Sequence, residues 1–322
     1  MYYVGVDLGG TNIKAGVVSC DGKIIKNSII KTQKGADPQV IIGDIANLIK
    51  KIVKNSGLSM KQIERIGIGV PGVVDNDKGV IVRAVNINFF EVKISDELKK
   101  YFNIPVYIEN DANCAALAEA KFGVAKGYKD SIMVTLGTGI GGGIIINESI
   151  YRGVNCAAGE LGHMSIVMKG EKCSCGRRGC WEMYASATAL KNLAIKSIEN
   201  DNSTSMYSAV DGDMSRVESR VVFAQAKRGD IAAQKVLNEY IGYLSFGIVN
   251  LINIFQPGLI AIGGGISNAG KYFLQKVKDE VGKSSEMGQN LKDRTDIKLA
   301  KLGNKAGILG AAFLNEYNRK VF

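Results

Sequence analysis

The sequence predicts an α/β fold built from two related halves, and three observations carry that prediction. Apolar, β-branched runs alternate with segments of helical period along the chain. Two stretches, "YVGVDLGGTNIKAGVV" and "MVTLGTGIGGGIII", repeat one order of apolar strand, glycine-rich turn and apolar strand. A hydrophobic fraction of 46% over 322 residues is enough for two cores. Halves of this kind, facing each other, set both turns at the mouth of one cleft.

Taken in order, strands are expected at Tyr2 to Leu8, Ala15 to Ser19, Ile24 to Lys31, Arg65 to Val70, Val106 to Glu109, Ser131 to Leu136, Gly143 to Asn147 and Leu259 to Ile262. Helices are expected at Val40 to Lys54, Ser95 to Phe102, Asp111 to Lys121, Met183 to Ile198, Val217 to Ile254 with a break near Gly229, and Ala306 to Tyr317. The polar stretch from Asn200 to Asp213 reads as a surface loop. The longest apolar run, "IGYLSFGIVNLINIF", places Ile241, Leu244, Ile248, Leu251, Ile252 and Phe255 at three- and four-residue steps around Asn250 and Asn253. That is a core helix, too short and too polar for a membrane span, so no membrane partner is expected.

The N-terminus reaches Asp7 without a basic-then-apolar leader, and secretion is not expected. The formal charge of +10 is spread along the chain instead of gathered on one element, and no nucleic-acid module is recognisable. It reads as a solvated surface that can steer anionic substrates. Cys20, Cys114 and Cys156 are scattered like small core residues, whereas Cys173, Cys175 and Cys180 are clustered. This usage fits a reducing cytoplasm better than a disulfide framework.

Each glycine turn brings polar groups with it. "DLGGTNIK" places Asp7 beside Gly9, Gly10 and Thr11, a carboxylate able to hold hydrated Mg2+ next to a hydroxyl. "LGTGIGGG" supplies Gly137, Thr138, Gly139, Gly141 and Gly142. Glycine admits close backbone approach and positive φ, so consecutive N–H groups can surround phosphate oxygens. Either loop alone reads equally as a tight hairpin; the pair favours a nucleotide clamp. Gly137, Gly139 and Gly142 satisfy the dinucleotide fingerprint, but "GIIIN" continues as a strand where that motif requires a helix. Gly265, Gly270 and Lys271 approach a P-loop, yet Tyr272 stands where a hydroxyl residue must be. Gly264 and Gly265, in "IAIGGGIS", instead end a strand in a loop without side-chain bulk, where adenosine can lie.

His163 is the only histidine in the chain and shortly precedes the cysteine cluster. Cys173, Cys175 and Cys180 with His163 form a Cys3His set, the composition of a closed structural zinc site, and Gly176 and Gly179 bend the knuckle. If the metal takes one ring nitrogen, the other is left as a donor.

In order along the chain, "DLGGTNIKAG", "GIGVPGVVD", "AVNINFFEV", "IENDANCAALAEA", "VTLGTGIGGGI", "GELGH", "CSCGRRGCWE", "IAIGGGIS" and "KAGILGAA" resemble the ROK sugar kinases. These lie within the actin-like and hexokinase-like superfamily, and the chain looks most like the bacterial glucokinases among them. The resemblance implies a duplicated ribonuclease H-like ATPase fold with ATP and hexose in the cleft. It divides the chain into a small lobe, 1–110 plus 305–322, and a large lobe, 111–304, with the knuckle at 163–180. Asp111 matches the catalytic base, and Asn86, Asn110, Glu160, His163 and Glu182 match sugar ligands. Asp7, Gly9, Gly10, Thr11 and the loop at Gly137 match the phosphate contacts. Homodimers are common in the family, so one is expected.

One departure is "NINFF", where the family's glucokinases commonly carry asparagine, leucine, glycine, tryptophan. Asp111 also begins a helix, and a plain N-cap is the competing account of it. The function implied is ATP- and Mg2+-dependent phosphorylation of glucose. An N-acetylglucosamine or N-acetylmannosamine kinase is the alternative. A sugar-responsive repressor is another, although the strand expected at Tyr2 leaves no room ahead of it for a DNA-binding domain.

Overall fold

The structure, a computed structural model, describes residues 1–284 and 295–315. The chain divides into two compact units. The first comprises Met1–Met133, Gly143–Gly159 and Lys301–Phe322, and the second Val134–Gly142 and Glu160–Ala300. The expected boundary at 110/111 therefore falls inside the first unit.

In the first unit, strands β1 (Tyr2–Leu8), β2 (Asn12–Ser19), β3 (Ile24–Lys31), β4 (Ile63–Val70) and β8 (Val106–Asn110) form a sheet of order β3-β2-β1-β4-β8. The β1–β2 and β2–β3 pairs are antiparallel, while β1–β4 and β4–β8 are parallel. Both faces of β1 are buried because helices cover both sides. Helix α1 (Pro38–Asn55) packs Ile41, Ile45, Ile49 and Ile52 against Val4, Val6 and Leu8. It starts where Asp37 accepts from Gln39 N–H and Pro38 fixes the first turn. The other face receives α3 (Asp111–Phe122) and α10 (Ala306–Ala312) around Tyr3, Val18 and Phe313.

That second packing depends on missing side chains. A Cβ on Gly5 would lie 1.9 Å from Ile308 O, and one on Gly67 1.7 Å from Ala311 O. Three short strands the sequence did not signal, β5 (Val73–Asp75), β6 (Val80–Ala84) and β7 (Phe89–Val92), form a separate small sheet.

A further sheet has the order β11-β10-β9-β12-β13. Its strands are β9 (Ser131–Leu136), β10 (Ile140–Ile146), β11 (Ser149–Ile150), β12 (Leu259–Gly263) and β13 (Asp296–Leu299). The strands β9 and β10 each run from one unit into the other. The same order of hairpin strands followed by two later strands thus appears twice, which is the duplication read from the two glycine turns.

The second unit's helices are α4 (Glu182–Ala185), α5 (Ala187–Asn200), α6 (Ser205–Ser208), α7 (Ser219–Lys227), α8 (Ile231–Phe255) and α9 (Lys271–Ser284). The break near Gly229 is present, with Gly229 at φ 96° and Asp230 capping α8 through Ala233 N–H. The single helix expected from Met183 to Ile198 is instead two, because Ser186 leaves the helical region and accepts from Ala189 N–H to cap α5. The stretch read as a loop contains α6. The helix expected from Ala306 reaches Ala312, and positions 316 and 317 of that expectation lie outside the described residues. Among the described residues no helix is long and apolar enough to cross a membrane.

Candidate functional site

The first unit holds the first glycine turn and the Asn110–Asp111 junction. The turn closes the β1–β2 hairpin, with Gly9 N–H donating to Asn12 O at 3.0 Å. A Cβ on Gly10 would lie 3.2 Å from Asn86 Cβ, so the expected sugar ligand Asn86 packs directly on this turn. Asp7 is held by Lys14, Nζ to Oδ2 at 2.9 Å, an ion pair that the motif spacing alone did not reveal. It presents a hard oxygen donor of the kind Mg2+ takes, with a cation already beside it.

At the junction, the cap of α3 is Asn110 and not Asp111. Asn110 has extended φ and ψ of −61° and 143°, and its Oδ1 accepts from Ala112 N–H at 2.9 Å and Asn113 N–H at 3.2 Å. Its Nδ2 donates to Gly72 O at 3.1 Å. Asp111 is the first helical residue, half-buried, and accepts from Ala112 N–H at 2.8 Å. The N-cap account of Asp111 is thereby corrected: its neighbour does that work.

Beneath the junction lies a charged pair that sequence reasoning missed. Glu109, 1% exposed, accepts from Arg152 Nε at 2.6 Å, Asn76 Nδ2 at 3.0 Å, Asn113 Nδ2 at 3.0 Å and Asn110 N–H at 2.9 Å. A buried carboxylate is tolerated because a cation and several donors face it. Cys114, one turn further along α3, is fully enclosed, and burial pushes its thiol well above the usual range.

In the second unit, Gly137, Thr138 and Gly139 join β9 to β10, with Gly137 N–H donating to Gly139 O at 3.0 Å. Gly141 and Gly142 lie inside β10, so the strand continues where a dinucleotide motif would turn helical. Positive φ, expected for the loop glycines, is absent at Gly9, Gly10, Gly137 and Gly139 and present at Gly264, φ 85°. A side chain would crowd Asn12 O at Gly9, Asn86 at Gly10 and Glu182 at Gly139, but would meet nothing within 4 Å at Gly137. A Cβ on Gly264 would come within 2.3 Å of Leu136 O, which fixes the glycine-rich end of β12 against the second turn.

The cysteine knuckle folds as the spacing requires. Gly176 and Gly179 adopt φ 90° and 80°, and bridges join Ser165 to Cys180 and Lys172 to Arg178. Trp181, fully buried, anchors it to α8 by donating Nε1–H to Tyr243 O at 3.0 Å, its ring in the space a Gly247 side chain would need. One ligand atom from each of His163, Cys173, Cys175 and Cys180 lies within 4.8 Å of all the others. Cys173 Sγ is 3.6 Å from His163 Nδ1, and Cys175 Sγ is 3.6 Å from Cys180 Sγ. Zinc bonds of about 2.3 Å to sulfur and 2.0 Å to nitrogen in a tetrahedron put sulfurs about 3.8 Å apart and sulfur and nitrogen about 3.5 Å apart. The donor set therefore fits a tetrahedral ion, and the sulfurs are too far apart for a disulfide.

Burial pushes Cys173 up to about 12 and raises Cys180, while the Arg177 backbone N–H lowers exposed Cys175. The ring's other nitrogen, Nε2, is 4.0 Å from exposed Glu160. Glu182 turns inward, Oε1 at 3.5 Å from His163 Nδ1 and 3.1 Å from Cys173 Sγ.

The chain is 36% identical over 315 residues to a glucokinase of Halalkalibacterium halodurans, covering 97% of this chain and 94% of that one. It is 34% identical over 309 residues to a xylose repressor of Caldicellulosiruptor bescii, covering 95% of this chain and 76% of that one. Among solved structures, a ROK family glucokinase from Streptomyces griseus in complex with glucose and AMPPNP superposes with a TM-score of 0.81 at 33% identity, covering 97% of this chain and 98% of that one. The ROK family model itself matches residues 3–317, and the chain belongs to the ROK family.

Proposed function

We propose that this protein is a hexokinase-type kinase that transfers the γ-phosphoryl group of ATP to the 6-hydroxyl of a hexose, with glucose the preferred acceptor. The observation that carries the reading is Asp111: a carboxylate at the start of α3 whose capping duty is taken by Asn110, in a chain 36% identical to a glucokinase. Phosphoryl transfer needs alignment, charge neutralisation and a place for the acceptor proton. In this reading Asp111 accepts the hydroxyl proton late in the step, as a loose transition state permits, and Asn110 offers its second Nδ2 hydrogen to a neighbouring hydroxyl. Asn86, Glu160, His163 Nε2 and Glu182 complete sugar recognition.

Backbone N–H groups around Gly9, Gly10, Thr11 and Gly137 to Gly139 align the phosphates, and the Gly264–Gly265 loop takes the adenosine. Asp7 would hold hydrated Mg2+, which supplies charge neutralisation at the phosphates when bound, and Lys14 adds a second positive charge. His163, Cys173, Cys175 and Cys180 would hold Zn2+, which supplies rigidity and fixes the imidazole so that Nε2 faces outward.

The "NINFF" departure has a structural account that does not depend on the sugar. Asn88 occupies the left-handed region at φ 55° and ψ 40°, a conformation asparagine tolerates in place of glycine, and Phe89 is fully buried in the core. Neither residue needs a sugar to explain it. We also propose a cytoplasmic homodimer, for which light scattering should give about twice the 34.5 kDa chain mass.

A coupled assay across glucose, mannose, fructose, N-acetylglucosamine and N-acetylmannosamine tests the reading, with glucose expected to give the highest kcat/KM. A site whose polar groups need a particular hydroxyl discriminates by orders of magnitude, so the ranking will be decisive. A higher value for an N-acetylhexosamine replaces glucose with that sugar. The likeness to a xylose repressor favours a second reading, a sugar-responsive repressor. Sugar-dependent DNA binding with no ATP turnover on any hexose would establish it.

A further inference from the structure

The second glycine turn is held along its length by the segments that flank the cysteine knuckle, all within the second unit. Ala187 N–H donates to Gly137 O at 2.9 Å, and Thr188 Oγ1 donates to Thr138 O at 2.8 Å. A Cβ on Gly162, the residue before His163, would lie 2.3 Å from Ile140 O, so these backbones touch. Gly139 meets a side chain instead. A Cβ there would lie 2.4 Å from Glu182 Oε2, and nothing about its φ requires glycine.

Glu182 reaches in two directions at once. While Oε2 rests on Gly139, Oε1 lies 3.1 Å from Cys173 Sγ and 3.5 Å from His163 Nδ1, two of the four metal donors. A cation held by Cys173 and His163 would lie next to this oxygen, so metal binding bears on one end of a carboxylate whose other end rests on the loop.

We propose that Glu182 is a positioning residue that couples metal occupancy of the knuckle to nucleotide affinity at residues 137–140, in addition to its contact with sugar. This rests on reading the loop as a phosphate clamp. A methyl group at position 139 would have to displace the Glu182 carboxylate from the loop. The consequence is that zinc governs both substrates, the sugar through His163 and the nucleotide through Glu182.

The test is calorimetry of Mg-AMPPNP binding, without sugar, to the full chain carrying Gly139→Ala, Glu182→Asp or both. Gly139→Ala is expected to weaken binding about tenfold, the scale of direct side-chain coupling, and Glu182→Asp to change it by no more than about threefold. The double variant, whose shorter carboxylate makes room for the new methyl group, is expected to bind about as well as Glu182→Asp alone. Unimpaired binding by Gly139→Ala, or a double variant no better than Gly139→Ala, overturns the proposal.

A second arm decides the matter if Gly139→Ala does not fold. Chelating the metal should weaken Mg-AMPPNP binding by the parent severalfold and leave Glu182→Ala unaffected, because its link to the loop is already cut. Equal parental affinity with and without metal, or an equal loss in Glu182→Ala, overturns the proposal. A parent that fails to bind Mg-AMPPNP at all removes the phosphate-clamp reading itself, which is a distinguishable result.

Discussion

Asp111→Asn separates chemistry from structure because the two jobs at the start of α3 fall to different residues. Asn110 supplies the cap through Ala112 and Asn113 N–H, and it is untouched by the change. The new amide keeps an oxygen for the bond from Ala112 N–H at 2.8 Å. What is lost is a negative charge at the positive end of a 12-residue helix, worth about 0.3–1 kcal/mol at a half-exposed position. That corresponds to a Tm lower by about 1–3 °C for a chain of this size. The proposed proton acceptor disappears as well, and kcat is expected to fall by about two to four orders of magnitude. Sugar and nucleotide affinities should stay within about tenfold, since the other ligands remain, so the loss sits in kcat and not in KM. Turnover by coupled assay, binding by calorimetry and melting by scanning calorimetry on one preparation give all three quantities. Turnover within a few fold of the parent would refute the assignment. As a control, Asn110→Ala should cost about 1–2 kcal/mol, because it removes the true cap.

Three further outcomes follow from particular contacts. Metal analysis of purified protein should give about one zinc per chain, and Cys175→Ser should lower zinc content and sugar affinity together; a stable, fully active, metal-free parent would end the zinc reading. Gly67→Ala drives a methyl group into Ala311 O at 1.7 Å and should destabilise the protein by about 3 kcal/mol or more, read by urea denaturation, whereas Gly43→Ala, with nothing within 4 Å, should be neutral or mildly stabilising. Glu109→Gln leaves Arg152 facing a neutral group in a largely buried site and should cost about 3 kcal/mol in the same assay, and an unchanged midpoint would refute the pairing.

How much of this was legible in the sequence depends on the range over which each feature is specified. Strands β1, β3 and β9 begin and end where the apolar runs do, because period and turn chemistry act over a few residues. The two glycine turns announce a duplicated hairpin, and the sheet orders β3-β2-β1-β4-β8 and β11-β10-β9-β12-β13 carry that duplication through the fold. The Cys3His cluster was legible for the same reason: three of its four members fall within eight residues, on a knuckle shaped by Gly176 and Gly179. The short strands β5 to β7 were not, since segments of three to five residues hold too little period to be read.

By itself, then, the sequence determined the fold class, the family and the glycine turns, and it nominated the Cys3His set and Asp111. Only the tertiary structure decided which of two adjacent residues caps α3, because Asn110 ends β8 and is held extended by pairing with Val70 of β4. Only it revealed Glu109 paired with Arg152, Gly5 under Ile308 and Gly139 under Glu182. The members of each pair lie dozens to hundreds of positions apart in the chain. Local propensity carries no record of such pairs; they arise when packing brings two surfaces together and leaves room for one side chain where there might have been two.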